Sequence, residues 1–416
     1  MKSTLPADPP LIVAVAAPPY ESARAAEPAS TASVLFVDQS GQLGGAEFSL
    51  LQLAAAWPGR REVLLLSDGP FRTRLEALGV PVRLACDARV LGIRKKAARL
   101  AWLMALPGIV RQARLIARHA REFDVLFLNT QKALVLGALG KPLHRRRIVW
   151  HLHDIMSREH FGPLQRLVVR WLTRWAVDHV VANSQASAAS LVSLAGCAPQ
   201  AVPVVHNGVD LDAFNQAGAS DAGTAELRRR LGLPEDAYLA GLFGRLAPWK
   251  GQHVALEALA RLPGVHLVLV GSALFGEQPY VESLRRQAAR LGVEARLTFA
   301  GFRDDMPTWM KAMDVILHTS TEPEPFGRVI IEGMAAGRPV IAAGAGGVME
   351  IVQHRRNGWL VPPGNPDALV DAIETLRAAP ELAERIAGRA LADVREHFSV
   401  SAYLHKMQQT IARATG

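Results

Sequence analysis

Cysteine is nearly absent. Cys86 and Cys197 are the only two among 416 residues, and they lie far apart. No cysteine spacing of the metal-binding or redox type exists, and a disulfide framework is excluded. A reducing cytoplasm fits that usage. No apolar run approaches the ~20 residues that a membrane-spanning helix needs. Leu11 to Ala17 is too short for one, and Asp8, Pro9 and Pro10 directly before it argue against a cleaved signal. No Gly-x-Gly-x-x-Gly follows the first apolar run, and no Gly-Lys-Ser/Thr occurs. A dinucleotide oxidoreductase and a P-loop enzyme are therefore disfavoured. Acids are missing from one long stretch: residues 89–121 carry nine Lys/Arg and no Asp or Glu.

Half the residues are hydrophobic, enough for real cores in two domains of ordinary size. The net charge of +9 points to an anionic partner. A phosphate-bearing ligand, an anionic lipid and nucleic acid share that chemistry. No recognised nucleic-acid motif accompanies the charge, so nucleic acid is not expected. Within 89–121, Trp102, Leu103, Met104, Leu106, Ile109 and Val110 lie between the basic clusters. That mixture reads as a face resting on anionic headgroups, at the inner face of the plasma membrane. An ordinary solvated helix face is the competing reading.

The Pro/Ala-rich residues 1–31 read as a disordered leader. From Ser33 onward, short apolar runs alternate with helical spacing. VLFVD, EVLLLSD, PVRLA, DVLFLNT, RIVWHLHD and HVVANS are six candidate strands in residues 32–205. After the polar stretch NQAGASDAGT the alternation restarts. YLAGLFGRL, VHLVLVG, ARLTFAG, VILHTS, PVIAA and WLVPP are six more within 206–398. Strand and helix in alternation predict parallel sheets with crossover helices. The fold class is α/β: two doubly wound Rossmann-like halves facing a cleft, with ligands at the carboxyl ends of strands. A last helix, within 399–416, is expected to pack back on the first half.

Four patterns suit phosphate or sugar chemistry. Arg245 and Lys250 in GRLAPWKG follow a strand, a fork and a point charge for a diphosphate. Glu324 and Glu332 bracket the start of a helix in EPFGRVIIEGMAAGRPVIA. The first sits at the helix N-terminus, where free N–H groups and the dipole suit an anion or a hydroxyl. The second is over a turn further in, where a carboxylate can accept a ribose diol. Gly346 and Gly347 open another helix in a glycine-rich turn. Read singly, Glu324 could instead be a helix-start acid and Glu332 a buried structural one. In WHLHD, alternation along the strand puts His151 and His153 on one face, so periodicity does not separate them.

Taken together, GRLAPWKG, the two-glutamate block, the AGG turn, NGWLVPPGN, LGGAE, the HD of WHLHD and HNGVD resemble the retaining family 4 glycosyltransferases of GT-B fold. The resemblance covers roughly residues 33–416. It implies a hexosyltransferase that uses a nucleotide-sugar donor and a lipid-linked or cell-envelope polysaccharide acceptor. Arg245 and Lys250 would hold the diphosphate and stabilise its departure. Glu324 would contact donor sugar hydroxyls, and Phe326 and Gly327 would offer backbone N–H groups. Glu332 would bind the ribose. Gly44 and Gly45 would let the first loop approach the phosphates and acceptor. His153 would lie near the donor sugar with His151 as its competitor, and Asp154 would orient the ring. Asp210 and Asp212 form an acid-x-acid pair, read as structural because it lies in the HNGVD linker. No metal and no cofactor are expected. The alternative is a catalytically silent nucleotide-sugar-binding protein of the same fold.

Overall fold

The computed structural model describes residues 32–86, 99–217, 223–274 and 276–415. The leader 1–31 lies outside the described residues. So do positions 89–98 of the basic segment and the side chains of Trp102, Leu103 and Met104.

Twelve strands form two sheets. The first sheet contains β1 (Val34–Asp38), β2 (Arg61–Leu65), β3 (Val82–Leu84), β4 (Val125–Leu128), β5 (Arg147–Leu152) and β6 (His179–Ala182), in the order β3-β2-β1-β4-β5-β6. The second contains β7 (Tyr238–Phe243), β8 (Val265–Val270), β9 (Leu297–Gly301), β10 (Val315–His318), β11 (Val340–Ala343) and β12 (Trp359–Val361), in the order β12-β11-β10-β7-β8-β9. All twelve runs picked from sequence contain a strand. Every named pairing is parallel; Val34 lies between Arg61 and Val125, and Leu242 pairs with Leu317.

Parallel strands covered on both faces are apolar throughout rather than alternating. β1 and β8 are buried at every residue. Each sheet accordingly has two cores. On the first, Leu35, Leu126 and Trp150 face one layer of helices; Phe36, Phe127 and Val149 face the other. In both halves the strand order reverses beside the first strand, between β1 and β4 and between β7 and β10. Side chains and loops at the carboxyl ends of those strands line a crevice.

The C-terminal helix Val400–Thr415 follows the second half in sequence but packs on the first sheet. It buries Tyr403, Met407, Ile411 and Ala414, one stripe at helical spacing. Tyr403 donates its hydroxyl to the Ser49 carbonyl at 3.1 Å. A parallel bridge between Val209 and Ser399 holds the two crossing segments together. Met407 is fully buried. Met407→Ala is expected to cost about 2–5 kcal/mol, read as a loss of thermal and urea stability. A change below about 0.5 kcal/mol, the size of a neutral surface substitution, would mean that the helix does not clamp the first sheet.

Candidate active site at the two strand-order reversals

The second sheet supplies most of the polar constellation. β7 ends at Phe243. The chain then turns through Gly244 and Arg245 and a short 3₁₀ turn, Pro248–Lys250. Gly251 is left-handed at φ 71°, and a Cβ there would sit 1.9 Å from the Thr319 carbonyl oxygen. Only glycine lets this loop lie so close to the loop after β10. Thr319 Oγ1 donates to the Lys250 carbonyl at 2.9 Å, and the Thr321 N–H donates to Trp249 at 2.8 Å.

That contact brings Lys250 to Glu324. The ammonium donates to Glu324 Oε2 at 2.7 Å. Ser320 Oγ donates to the same oxygen at 2.9 Å, and His318 Nε2 lies 3.2 Å from it. Burial pushes the Glu324 carboxyl up; the Lys250 charge, with the His318 hydrogen bond, outweighs it and holds the group below the usual carboxylate range. Among the described residues, all three bonds converge on Oε2. Lys250 Nζ also lies 4.2 Å from the Trp249 ring centroid, and the Arg245 guanidinium carbon 5.9 Å from it. Arg245 pairs with Glu277 at 3.3 Å.

The helix after Glu324 starts at Arg328, with Gly327 as a left-handed cap at φ 101°. Among the described residues no acceptor is found for the Phe326 and Gly327 N–H groups. The Phe326 ring itself is core, stacked near His206 and Phe398. Gly346 and Gly347 make their closest approach to protein rather than to open space. A Cβ on Gly346 would lie 2.3 Å from Glu324 O, and one on Gly347 2.4 Å from Pro325 O. The helix they open, Val348–Ile351, has four residues. Their backbone packs directly under the segment that carries Glu324.

Glu332 accepts from Arg328 at 3.3 Å, one turn apart. Arg328 had not been singled out in the sequence, yet it crosses to the first half. Its guanidinium donates to Ser49 Oγ and to the Gly208 carbonyl, both at 3.3 Å, and its stem lies 3.5 Å from where a Gly45 Cβ would be. Gly44 and Gly45 thus cap a helix, Gly45–Ala55, that meets the glutamate block across the cleft. Glu350 was missed as well. Its two oxygens accept from the Gln185 and Ala186 N–H groups at 2.8 and 2.9 Å, closing the N-terminus of the first-half helix Gln185–Ala195. His206 Nε2 lies 3.0 Å from the same carboxylate. The sequence signal was an acid in the first turn after two glycines.

In the first half, His151 and His153 share a face, with ring centroids 3.9 Å apart. Their environments separate them. His151 is 1% exposed, edge-on to Phe127 and stacked near Tyr403, and burial pulls its pKa down to about 3. His151 thus lies in the interior beneath His153, the more exposed of the two rings. His153 is half-buried, with Nε2 2.9 Å from Asn129 Oδ1. Burial, then His151 and Arg328, hold its pKa well below 6.5. Asn129 is thus one partner of the ring, and Asp154 accepts from Gln131 at 3.3 Å. Asn129 donates in turn to Asp38 at 2.6 Å. Burial pushes the Asp38 and Glu47 carboxyls up, Glu47 also through Asp38. Asp210 caps the helix Leu211–Gln216, accepting from the Asp212 and Ala213 N–H groups. Among the described residues no group of three or more His, Cys, Asp or Glu is arranged to hold a metal.

Comparison with known proteins gives consistent matches. A glycosyl transferases group 1 model matches residues 223–392, and a Glycosyltransferase Family 4 model matches residues 43–213. The crystal structure of Anabaena HepE in complex with UDP-glucose is 40% identical, with a TM-score of 0.83 over 92% of this chain and 100% of that one. The D-inositol 3-phosphate glycosyltransferase of Streptomyces bingchenggensis is 36% identical over 238 residues, 55% of this chain and 51% of that protein. That of Mycobacterium tuberculosis strain H37Ra is 33% identical over 242 residues, 58% and 49% respectively. The matched part thus spans about half the length of these curated relatives.

The buried ion pair yields a test. Lys250→Met leaves Glu324 buried without its cation and is expected to cost about 3 kcal/mol at pH 7. The folded Glu324 pKa is depressed, so its contribution is present above the ordinary carboxylate value of about 4.3. It is lost as pH falls through the lower folded value. In the variant, burial without the cation raises the carboxyl, so the stability gap should shrink as pH falls through that raised value and on toward the lower wild-type one. Melting curves of both proteins across that range check it; a gap independent of pH would refute the pairing.

Proposed function

The chain belongs to the family 4 glycosyltransferases of GT-B fold, and from that premise we propose that it is a retaining hexosyltransferase. It takes a hexose from a nucleoside diphosphate donor and delivers it to a lipid-linked or cell-envelope polysaccharide acceptor. The observation that carries the reading is the Arg245–Trp249–Lys250 loop meeting Glu324 at the β7/β10 reversal, with Glu332 one turn along the following helix. The HepE complex with UDP-glucose supports a uridine nucleotide as the donor.

The residues divide the work by charge. Arg245 and Lys250 meet the diphosphate and stabilise the negative charge that grows on it as the sugar bond breaks. Lys250 shares its ammonium between Glu324 and the phosphate, which fixes where the leaving oxygen lies. Glu324 Oε2 is occupied by its three protein partners, so Oε1 is the oxygen for donor sugar hydroxyls. The Phe326 and Gly327 N–H groups add donors at the same helix terminus. Glu332 takes the ribose diol, exchanging or sharing its Arg328 contact. His153, held neutral, offers a ring nitrogen beside the sugar without adding charge. The acceptor hydroxyl attacks the face that the diphosphate leaves, and the departing diphosphate oxygen takes its proton. The cations of the chain do the work of a metal. The described part of the basic segment 89–121 gives the lipid-linked acceptor a surface to arrive on, which fits a peripheral position at the inner membrane face.

Glu324→Gln is expected to reduce turnover by roughly 100-fold or more with little loss of donor affinity. Glu332→Ala is expected to weaken nucleotide binding roughly tenfold or more, the loss of a charge-assisted hydrogen bond. Calorimetric titration and steady-state kinetics separate the two effects. Thermal shift with uridine and guanosine diphosphates, with and without EDTA, tests base choice and metal independence. Unchanged kinetics and binding in both variants would sink the assignment; an EDTA-sensitive shift would sink its metal-free part.

A further inference from the structure

The helix Pro163–Trp175 carries two apolar stripes where a surface helix needs one. Val169 and Leu172 form the inner stripe, buried in the first-half core. The outer stripe is Leu164, Leu167, Trp171 and Trp175, spaced by three, four and four residues. These side chains are 44, 60, 58 and 73% exposed. The two tryptophan rings lie together, with centroids 6.5 Å apart. Among the described residues nothing covers this stripe, and contiguous exposed apolar surface of this kind marks an interaction site.

The charge around it names the partner. Arg170 and Arg174 are exposed on the flank of the stripe. No Asp or Glu occurs from His160 to Val177. The helix Gln131–Leu139 packs against this one, and the helix Arg99–Ala120 packs against that, and neither contains an acid. On the latter, Leu106 and Val110 are exposed beside Arg111 and Arg114. Tryptophan and arginine bordering an apolar ridge suit the boundary between headgroups and acyl chains: the rings insert, and the guanidiniums reach phosphate. A face-to-face copy of this chain would bring arginines against arginines without acids to pair them.

We propose that the helix Pro163–Trp175 is a membrane-docking element. It lies in the plane of an anionic phospholipid surface, with Leu167, Trp171 and Trp175 in the interface and Arg170 and Arg174 on lipid phosphates. The expectation drawn from sequence had placed lipid contact in 89–121; this helix is outside that stretch and had not been singled out. It rests on surface chemistry alone and needs no assumption about sugar transfer. Its position gives it a use all the same. The segment that leaves β5 at His153 runs on into the start of this helix, so one stretch of chain joins the site to the docking element.

The test is flotation of the full chain, without any nucleotide, on vesicles of phosphatidylcholine alone and of phosphatidylcholine mixed with phosphatidylglycerol. Wild type should bind the anionic vesicles selectively. Trp171→Ser/Trp175→Ser and Arg170→Gln/Arg174→Gln should each lower the partition coefficient roughly tenfold or more, with melting temperatures unchanged because all four residues are exposed. Quenching of tryptophan fluorescence by bromine-labelled lipid should fall in the tryptophan variant. Absence of wild-type binding, equal binding to both vesicles, or unchanged binding in both variants would overturn the proposal. So would a loss seen only with Arg111→Gln/Arg114→Gln. Light scattering that shows a dimer turned monomeric by the tryptophan changes, without vesicle binding, would instead make the ridge a self-interface and overturn the lipid assignment.

Discussion

The Lys250–Glu324 ion pair is the constraint on which the rest of the second half depends. A carboxylate with this little solvent contact would be costly alone. It is tolerated because an ammonium, a serine hydroxyl and a histidine nitrogen converge on one oxygen. To deliver them, two loops from different strands must run in contact. Gly251 permits that contact by having no side chain where Thr319 places its carbonyl. Gly346 and Gly347 permit a second one beneath Glu324 and Pro325. The glycines around the site are therefore best understood as the packing that sets one carboxylate.

The helix that begins four residues later extends this constraint to the other half. Arg328 holds Glu332 on its own helix while bonding Ser49 across the cleft and Gly208 in the linker. Glu350 caps a first-half helix from the second half, and His206, in the linker, shares its carboxylate. Burial pushes the Glu350 carboxyl up, and the His206 and backbone hydrogen bonds more than offset it, so the charged form is held. A shift between the halves must lengthen these bonds. The positions of Glu324 and Glu332 are thus coupled, through short stretches of backbone, to the spacing of the two domains.

The fold was legible because both sheets are parallel and buried, which makes each strand a continuous apolar run that composition alone reveals. The positions of Glu324, Lys250 and Glu332 were legible for a related reason: loops at strand ends are short and carry their charges in fixed order. What was not legible depends on distance in sequence. Arg328 looked like an ordinary surface residue of a helix until the first half closed over it. Glu350 looked like a first-turn acid of its own helix, although it caps another. His151 and His153 have the same residue type and the same face; only Phe127 and Tyr403, from β4 and the last helix, make one interior and leave the other at the site. The outer stripe of Pro163–Trp175 was hidden by its own inner stripe, since both read as helix periodicity.

The charge excess can also be located. Each principal cation at the site has an acid beside it: Lys250 has Glu324, Arg245 has Glu277, and Arg328 has Glu332. A phosphate arriving there exchanges one anionic partner for another, so affinity is limited and geometry decides what is held. The net +9 cannot come from such pairs. It comes from surfaces such as the two first-half helices Arg99–Ala120 and Pro163–Trp175, which contain no acid at all. Uncompensated charge on an exposed face acts over about a Debye length, ~8 Å at physiological salt. It can draw the molecule to an extended anionic surface without selecting a small ligand. The uncompensated faces and the compensated site thus differ in the kind of anion that their electrostatics suit.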